Sequence, residues 1–140
     1  MNSFDKWFSR KLDRVACTIR ESRTVEEKYV KINGSKAEFA WLRLSAEPAA
    51  SFDFRSLVRW PDQQDKHNLT IVDAIMDELL STGVGQVVSK VRFTLTDIRW
   101  NETDSNRKAF YLAARAAVKK ILALDEHPDN VKWEIGHRDR

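Results

Sequence analysis

The chain has 140 residues, of which 42% are hydrophobic and 32% charged, and its net charge is +3. This length suits one domain with one core and is short for two, and no apolar run is long enough to cross a membrane. No secretory signal is visible at the N-terminus, and the single cysteine, Cys17, excludes an internal disulfide and a cysteine-based zinc site. We therefore expect a cytoplasmic, single-domain protein.

The N-terminal half is predicted to consist mostly of strands. Residues 3–12 have the spacing of a short helix, and alternating apolar residues predict a strand over 14–20. Two further alternating runs flank Asn33-Gly34, a dipeptide that readily adopts the positive φ angles of a tight hairpin turn. Residues 51–60 alternate in the same way and are predicted to add a third strand to that sheet.

A helix and a long strand are predicted to follow. The run 68–83 has helical spacing, with Leu69 on its buried side, Glu78 on its exposed side and Gly83 as the C-cap. Residues 86–100 then alternate over their whole length, which predicts one continuous strand.

A second long helix is predicted near the C-terminus, and Asp104 or Ser105 is expected to be its N-cap. Its buried stripe comprises Ala109, Phe110, Ala113, Ala117 and Ile121. Beyond it, residues 129–135 can form a last strand. The resulting order, three or four strands followed by helix, strand and helix, predicts an α+β fold of two layers with both helices on one sheet face.

The opposite sheet face is predicted to be basic and aromatic, with Asp53 as its only nearby acid. According to the alternation, this face comprises Tyr29, Lys31, Phe39, Trp41, Arg43, Arg55, Arg59, Lys90 and Arg92. Aromatic rings among cations are typical of surfaces that stack bases and bind phosphates. The alternative is that a terminal segment covers these rings, and Trp7 and Phe8 are available for that.

The start of the second helix raises a related question. Arg107 and Lys108 occupy its first turn, where the helix dipole disfavours cations. A bound phosphate would neutralise both, because helix N-termini bind anions. The alternative is that Glu102 and Asp104 screen them as ordinary surface ion pairs.

Sequence signatures of catalysis are lacking. The four glycines, at positions 34, 83, 85 and 136, form no phosphate-binding loop, so we expect no nucleotide and no other cofactor. His67, His127 and His137 lie in predicted loops without the spacing of a metal-binding pair, and we expect them to be solvated. No base or nucleophile is paired by spacing with the acidic residues, so the chain is not predicted to be an enzyme.

Two segments are similar to those of a known family. They are FTLTDIRWNETDSNRKAF at residues 93–110 and YVKINGSKAEFAWLRLSAEP at residues 29–48. The first matches at Thr94, Leu95, Asp97, Glu102, Asp104, Ser105, Ala109 and Phe110. The second matches at Gly34, Lys36, Phe39, Glu47 and Pro48. Both resemble, in order and without a gap, segments of domain IV of bacterial elongation factor G, and the resemblance extends from about residue 14 to about residue 122.

The resemblance implies a fold of the ribosomal protein S5 domain 2 type, with a left-handed crossover. In the family, the tip loops of this domain enter the decoding site of the small ribosomal subunit and contact tRNA and mRNA. Those loops correspond here to residues 33–36 and 97–101. The chain departs from the family pattern at Asn101, where the family has a histidine, and at Ile98, where it has a glycine. We expect no GTPase domain to accompany it.

We therefore predict one domain over 1–140, with a helical extension at 1–13, a core at 14–125 and a strand or tail at 126–140. It is predicted to be a non-catalytic RNA-binding or ribosome-associated module, whose partner is the small ribosomal subunit or another structured or single-stranded RNA. The predicted RNA-binding residues are Asn33, Gly34, Ser35, Lys36, Trp41, Arg43, Lys90, Arg92, Arg99, Trp100, Asn101, Arg107 and Lys108. The alternative is a protein-interaction module, such as a homodimer, in which Phe39 and Trp41 form the contact surface.

Overall fold

Six strands and two helices make up the described part of the chain, which comprises residues 15–61, 63–81, 86–101 and 104–126 of a computed structural model. The strands are β1 (Val15–Cys17), β2 (Arg23–Asn33), β3 (Lys36–Pro48), β4 (Asp53–Ser56), β5 (Gln86–Val88) and β6 (Val91–Arg99), and the helices are α1 (His67–Ser81) and α2 (Arg107–Glu126). The predicted helix at 3–12, the cap at Gly83 and the strand at 129–135 lie outside these residues. Neither α1 nor α2 is long and apolar enough to span a membrane.

The main sheet has the strand order β2, β3, β6, β4. β2 pairs antiparallel with β3, and β3 with β6, whereas β4 lies parallel to β6. A parallel pair requires a crossover connection, and α1 lies in the connection between β4 and β6. β1 and β5 form a separate parallel pair. The predicted α+β class is therefore confirmed, while the left-handed sense of the crossover stays a prediction.

Strands β2 and β3 form one long hairpin that closes at the pair Asn33 and Lys36. The turn between them consists of Gly34 and Ser35, and Gly34 has a φ angle of +66°. A positive φ at the first central residue is typical of a type II′ turn, and glycine adopts it without steric cost. The predicted hairpin is confirmed, with its turn one residue later than the predicted dipeptide.

The core lies between the sheet and the two helices. The apolar sides of the predicted strands and helices meet there in one buried cluster. Its members include Leu79, Phe93, Leu95, Phe110 and Ala113, none of which is more than 1% exposed. The predicted buried stripe of α2 is also confirmed, since all five of its residues are buried.

The predicted orientation of α1 is wrong by part of a turn. Leu69, expected inside, is 72% exposed, and Glu78, expected outside, is 3% exposed. The buried side of the helix comprises His67, Thr70, Ile71, Ala74, Ile75, Glu78 and Leu79. Glu78 can lie inside because Arg115 of α2 donates a hydrogen bond from Nε to Glu78 Oε1 over 3.0 Å.

The predicted strand over 86–100 is interrupted at Ser89 and Lys90. The amide groups of both residues donate to the carbonyl oxygen of Cys17 at the end of β1, each over 3.0 Å. The contact with β1 thus separates β5 from β6.

A β-bulge in β6 reverses which residues face the helices. The register with β3 shifts between Leu95 and Asp97, so Thr96 is the extra residue. Leu95 lies in the core before the bulge, and Ile98 packs against the core after it. Asp97 and Arg99 therefore lie on the outer sheet face, although regular alternation would turn them inward.

Candidate nucleic-acid interface

The start of β3 and the loop that precedes α2 lie side by side at one end of the main sheet. The Phe39 amide donates to the Asp104 carbonyl oxygen over 3.0 Å, and Ser105 Oγ donates to the Phe39 carbonyl oxygen over 2.8 Å. Asn106 Nδ2 donates to Glu38 Oε2 over 3.2 Å. The start of β3 is thus joined to the loop that precedes α2, and the hairpin turn and this loop form one surface.

Asn106 is the N-cap of α2, so the expectation of a cap at Asp104 or Ser105 is wrong. Asn106 Oδ1 accepts a hydrogen bond from the Ala109 amide over 2.8 Å. Ser105 Oγ accepts instead from the Asn101 amide over 3.0 Å while it donates to the hairpin. Because Ser105 joins the loop to the hairpin, the next residue serves as the cap.

A cleft of about 560 Å³, here called the tip cleft, lies between the hairpin turn and the start of α2. Its lining residues are Lys31, Asn33, Ser35, Lys36, Ala37, Glu38, Asp104, Asn106 and Lys108. The lining therefore supplies three lysines against two carboxylates. This excess of positive charge suits an anionic ligand.

Lys108 has a carboxylate partner that sequence spacing did not indicate. Its Nζ lies 3.6 Å from Glu38 Oε1. The pKa of Glu38 is lowered by the hydrogen bond from Asn106 and by the positive charges of Lys108 and Lys31. Glu38 is therefore ionised and neutralises part of the positive charge at the N-terminus of α2. The expected partner, Glu102, lies outside the described residues.

Arg107 lines a second cleft, of about 530 Å³, between the N-termini of α1 and α2. The lining residues of that cleft are Gln64, Lys66, His67, Leu69, Thr70, Asp73, Ser105, Asn106 and Arg107. Arg107 is exposed and forms no ion pair with any residue that the structure describes. One cation of the first turn of α2 thus has no carboxylate partner in the described part of the chain.

The hairpin projects beyond the rest of the main sheet, because β6 ends beside Trp41 whereas β3 begins at Lys36. This projecting part, residues 30–39, is here called the arm. Val30 and Ile32 are 48% and 75% exposed on its outer side. Its opposite side borders the tip cleft, so the arm is apolar on one side and basic on the other.

The expectation that Tyr29 and Lys31 share a face with Trp41 is wrong. Lys28 is the residue paired with Trp41, and residues paired across antiparallel strands share a face. Tyr29 therefore packs against the core, and Lys31 lines the tip cleft. Alternation defines two faces for each strand, but it does not tell which face of one strand matches which face of the next.

The outer sheet face is nearly balanced in charge rather than simply basic. Arg43 Nη2 lies 3.0 Å from Glu26 Oε2, and Arg92 Nη1 lies 3.3 Å from Glu47 Oε1. Arg92 Nε is also 3.1 Å from Asp53 Oδ2. Burial alone would raise the pKa of Asp53, but hydrogen bonds from arginines outweigh it and lower this pKa. The expectation of Asp53 as the only acid is wrong, because the register brings Glu26 and Glu47 to the same face.

Trp41 is only 8% exposed, although it lies on the outer face. Two guanidinium groups cover its ring: Arg99 Cζ lies 4.6 Å from the ring centroid, and Arg43 Cζ lies 5.4 Å from it. Both are cation–π contacts. Stacking of a base on Trp41, as predicted from the sequence, would therefore require these arginines to move.

The Trp100 ring lies on the helix side of the sheet, in a cluster with Trp60, His67 and Phe110. It stacks on Phe110 with the ring centroids 6.0 Å apart and an angle of 10° between the planes. His67, expected to be a solvated loop residue, is 4% exposed and its ring centroid lies 4.9 Å from that of Phe110. Burial, and secondarily the charge of Lys66, lowers the pKa of His67. Periodicity could not indicate this position, because His67 is the first residue of α1.

The predicted RNA-binding residues fall into three groups in the structure. The tip group comprises Asn33, Gly34, Ser35, Lys36, Asn101, Arg107 and Lys108. The central group comprises Trp41, Arg43, Arg99 and Trp100. Arg92 lies near the other end of β6, roughly 20 Å from Arg99 at about 3.3 Å per residue, and Lys90 immediately precedes that strand. Of the tip group, the structure brings Asn33, Ser35, Lys36 and Lys108 together around the tip cleft, whereas Arg107 lines the second cleft. Lys90 and Arg92 are separated from this end of the sheet.

The sheet order, the two helices on one sheet face and the joined loops at one end form a two-layer α+β module, and comparison with known proteins identifies its family. The model of the family "Elongation factor G, domain IV" matches residues 14–124. The chain belongs to this family, and the resemblance inferred from its two segments is confirmed.

Two similar proteins illustrate the relationship. The chain is 32% identical over 107 residues to "Elongation factor G 1" of Syntrophomonas wolfei subsp. wolfei. The matched region covers 75% of this chain and 16% of the relative. A crystal structure of a Thermus thermophilus protein is similar with a TM-score of 0.66 and 27% identity, over 74% of this chain and 16% of that one. The chain therefore spans only a small part of the length of both proteins.

Proposed function

We propose that this protein is a non-catalytic, cytoplasmic RNA-binding module of the translation machinery, and that its tip loops contact RNA of the small ribosomal subunit. The observation that carries the proposal is the joining of the start of β3 to the loop before α2, beside a cleft that is lined by three lysines. Membership of the elongation factor G domain IV family supports the ribosome as the partner.

The charge of the tip supports a phosphate ligand. Lys31 and Lys36 are exposed beside the turn, and Arg107 and Lys108 add to the positive end of the α2 dipole. Each cation that neutralises a phosphate releases counterions, so the affinity would be largely electrostatic. Phosphate contacts position a strand without reading its sequence, and we therefore expect little sequence preference.

Salt-dependent binding to purified small ribosomal subunits and to a fluorescein-labelled single-stranded RNA tests the proposal. With about four phosphates contacted, log affinity should fall against log salt with a slope near −3, at roughly −0.7 per phosphate. Replacing both Lys36 and Arg107 by Ala should flatten that slope by about one to one and a half units. Arg107→Ala combined with Lys108→Ala should flatten the slope less, because Glu38 already neutralises part of the Lys108 charge.

A matched control removes the same charge far from the tip. Arg55 lies beside Thr94 near the other end of β6, and Lys119 is exposed in the C-terminal half of α2. The double replacement of Arg55 and Lys119 by Ala should leave the slope nearly unchanged. If the wild-type protein binds neither the subunits nor the RNA at low salt, where electrostatic attraction is strongest, the proposed function is wrong.

An exposed apolar surface supports a second candidate, a protein-interaction module. Val30 and Ile32 are exposed on the outer side of the arm, and β2 is an edge strand of the main sheet. A second copy of the chain could cover both features. Sedimentation should then detect a concentration-dependent dimer that Ile32→Lys dissociates, whereas a monomer at every concentration would remove this candidate.

A further inference from the structure

We infer that Lys28, Trp41 and Arg99 form a second subsite, on the outer sheet face, for a phosphodiester group of the RNA backbone. This inference rests on the proposed function and extends it to a surface outside the tip cleft. In this subsite Arg99 and Lys28 contact the phosphate. Trp41 is a positioning residue that orients the Arg99 guanidinium and does not stack on a base.

Arg99 differs from the three other arginines that the described strands carry on the same sheet face. Arg43, Arg55 and Arg92 each lie within 3.0 to 3.1 Å of a carboxylate oxygen. Arg99 is exposed and forms no ion pair with any residue in the described part of the chain. Its charge is therefore available to a ligand, whereas the charges of the other three are already compensated.

The Trp41 ring holds the Arg99 guanidinium in place. The 4.6 Å distance from Arg99 Cζ to the ring centroid is that of a close cation–π contact. A guanidinium held in this way has lost part of its conformational freedom before a ligand arrives, and its planar donors match a phosphate in a two-point contact. Since Trp41 is 8% exposed, its ring itself offers little surface to RNA.

Lys28 supplies a second cation on the other side of Trp41. The register pairs Trp41 with Lys28 of β2 and with Arg99 of β6. With about 4.8 Å between neighbouring strands, the two backbones lie roughly 10 Å apart, and both side chains can reach one phosphodiester above the ring. Lys28 is exposed and also forms no ion pair among the described residues.

The acids closest in register belong to the adjacent row of the sheet. Glu26 and Asp97 are both paired with Arg43 in that register. They lie 3.0 Å and 4.0 Å, respectively, from its guanidinium nitrogens. The row of Lys28 and Arg99 thus carries two positive charges without an ion pair in the described part of the chain, next to a row in which one arginine faces two carboxylates.

The position of this row fits a structured RNA that receives the end of the sheet in a groove. The tip cleft lies on the helix side of the hairpin, whereas Trp41 and Arg99 lie on the outer face where β6 ends. The two walls of a groove would present phosphates to both faces at once. The ribosomal subunit is therefore expected to bind both the tip cleft and this subsite, whereas a short single strand is expected to bind only one of the two.

Binding of purified small ribosomal subunits to single-site variants tests the inference. Arg99→Ala should weaken binding about three- to tenfold at low salt and flatten the salt slope by roughly 0.7 to 0.9. Arg99→Lys and Trp41→Leu should each weaken binding while keeping the slope, because the charge remains and its orientation is lost. Arg55→Ala is the matched control, with the same charge removed from an arginine that has a carboxylate partner, and it should change the affinity less than about twofold.

A double variant separates positioning from stacking. If Trp41 acts through Arg99, adding Trp41→Leu to Arg99→Ala should not weaken binding further. An additional loss of affinity would show that the ring contacts RNA directly, and it would overturn the positioning role. Equal losses for Arg99→Ala and Arg55→Ala would show that only net charge matters and would overturn the subsite. The subsite would also be overturned if Arg99→Ala bound as well as the wild type while the Lys36 and Arg107 double variant bound more weakly. That outcome would leave the proposed function standing. Melting curves must show that each variant is folded; should Trp41→Leu unfold, Trp41→Phe takes its place in the double variant.

Discussion

Arg115 of α2 and Glu78 of α1 form an ion pair in which the arginine Nε lies 3.0 Å from the glutamate Oε1. The Glu78 side chain is only 4% exposed, whereas that of Arg115 is 34% exposed. Arg115 also donates to the Tyr111 hydroxyl over 3.3 Å, and Tyr111 donates to Asp77 on α1. The two helices are thus joined by a polar network as well as by apolar packing.

Removing Arg115 should destabilise the protein because it leaves the buried Glu78 carboxylate without its partner. Breaking a fully buried pair costs about 3–5 kcal/mol, and the partial exposure of Arg115 reduces the expected loss for Arg115→Met to about 2–3 kcal/mol. Urea unfolding measures this free energy. Lys119→Met, on the exposed side of the same helix, is the control and should change it by less than about 0.5 kcal/mol. Adding Glu78→Met to Arg115→Met should restore most of the loss, and a double variant as unstable as the single one would contradict the explanation.

Phe110→Ala should cost about 3–5 kcal/mol of folding free energy, because the ring is fully buried against His67 and Trp100. The denaturant midpoint measures the effect. Leu69→Ala is the comparison, since Leu69 is 72% exposed in the first turn of α1 and its truncation should be nearly neutral. A midpoint of Phe110→Ala close to that of the wild type would mean that α2 is wrongly placed.

The stability of the protein should depend on the protonation of His67. Burial lowers its pKa in the folded state, so the unfolded chain binds the proton more tightly. The stability due to neutral His67 is therefore fully present above the usual pKa near 6.5 and is lost as the pH falls through the lowered folded value. The melting temperature should fall between about pH 7.5 and about pH 5.5, and His67→Phe should reduce that fall while keeping the aromatic packing. An identical fall in both proteins would show that other groups account for it.

Gly34→Ala should destabilise the hairpin turn by about 1–2 kcal/mol, because a residue with a side chain is strained at a φ angle of +66°. No heavy atom lies within 4 Å of the position that a Cβ would occupy, so the cost arises from the backbone alone. Gly34→Asn should cost less than Gly34→Ala, since asparagine tolerates positive φ angles better. Ser35→Ala serves as the control for the second turn position and should be nearly neutral. Thermal unfolding measures all three, and equal stability of Gly34→Ala and the wild type would contradict the type II′ turn.

Features encoded by short stretches of sequence were predicted well. The hairpin, both long helices and the apolar residues of the core follow from alternation, helical spacing and one glycine in a turn. The joining of the start of β3 to the loop before α2 was not predicted from patterns within the sequence; only the resemblance to the family indicated that the two regions lie at the same end of the domain. No spacing within either segment indicates that Ser105 would bond to Phe39.

Features that depend on contacts between distant segments were not predicted. The burial of Glu78 requires Arg115, which lies on another helix, and the burial of His67 requires rings from three other segments. The charge balance of the outer face depends on the register between strands, which brought Glu26 and Glu47 beside arginines. Sequence patterns describe each element separately, whereas these contacts are set by how the elements pack.

The extra residue Thr96 also restricts how this strand can change its length. A strand repeats every two residues, so one added residue shifts all later positions by half a period. Loss of a single residue here would move Arg99 to the core side and Trp100 to the solvent side, whereas loss or gain of two residues would keep the sides unchanged. A related chain without the bulge must therefore carry its basic and aromatic residues in the opposite order between this point and the tip. When one protein has the bulge and the other does not, an alignment without a gap in β6 pairs inward-facing residues of one protein with outward-facing residues of the other at every position beyond the bulge.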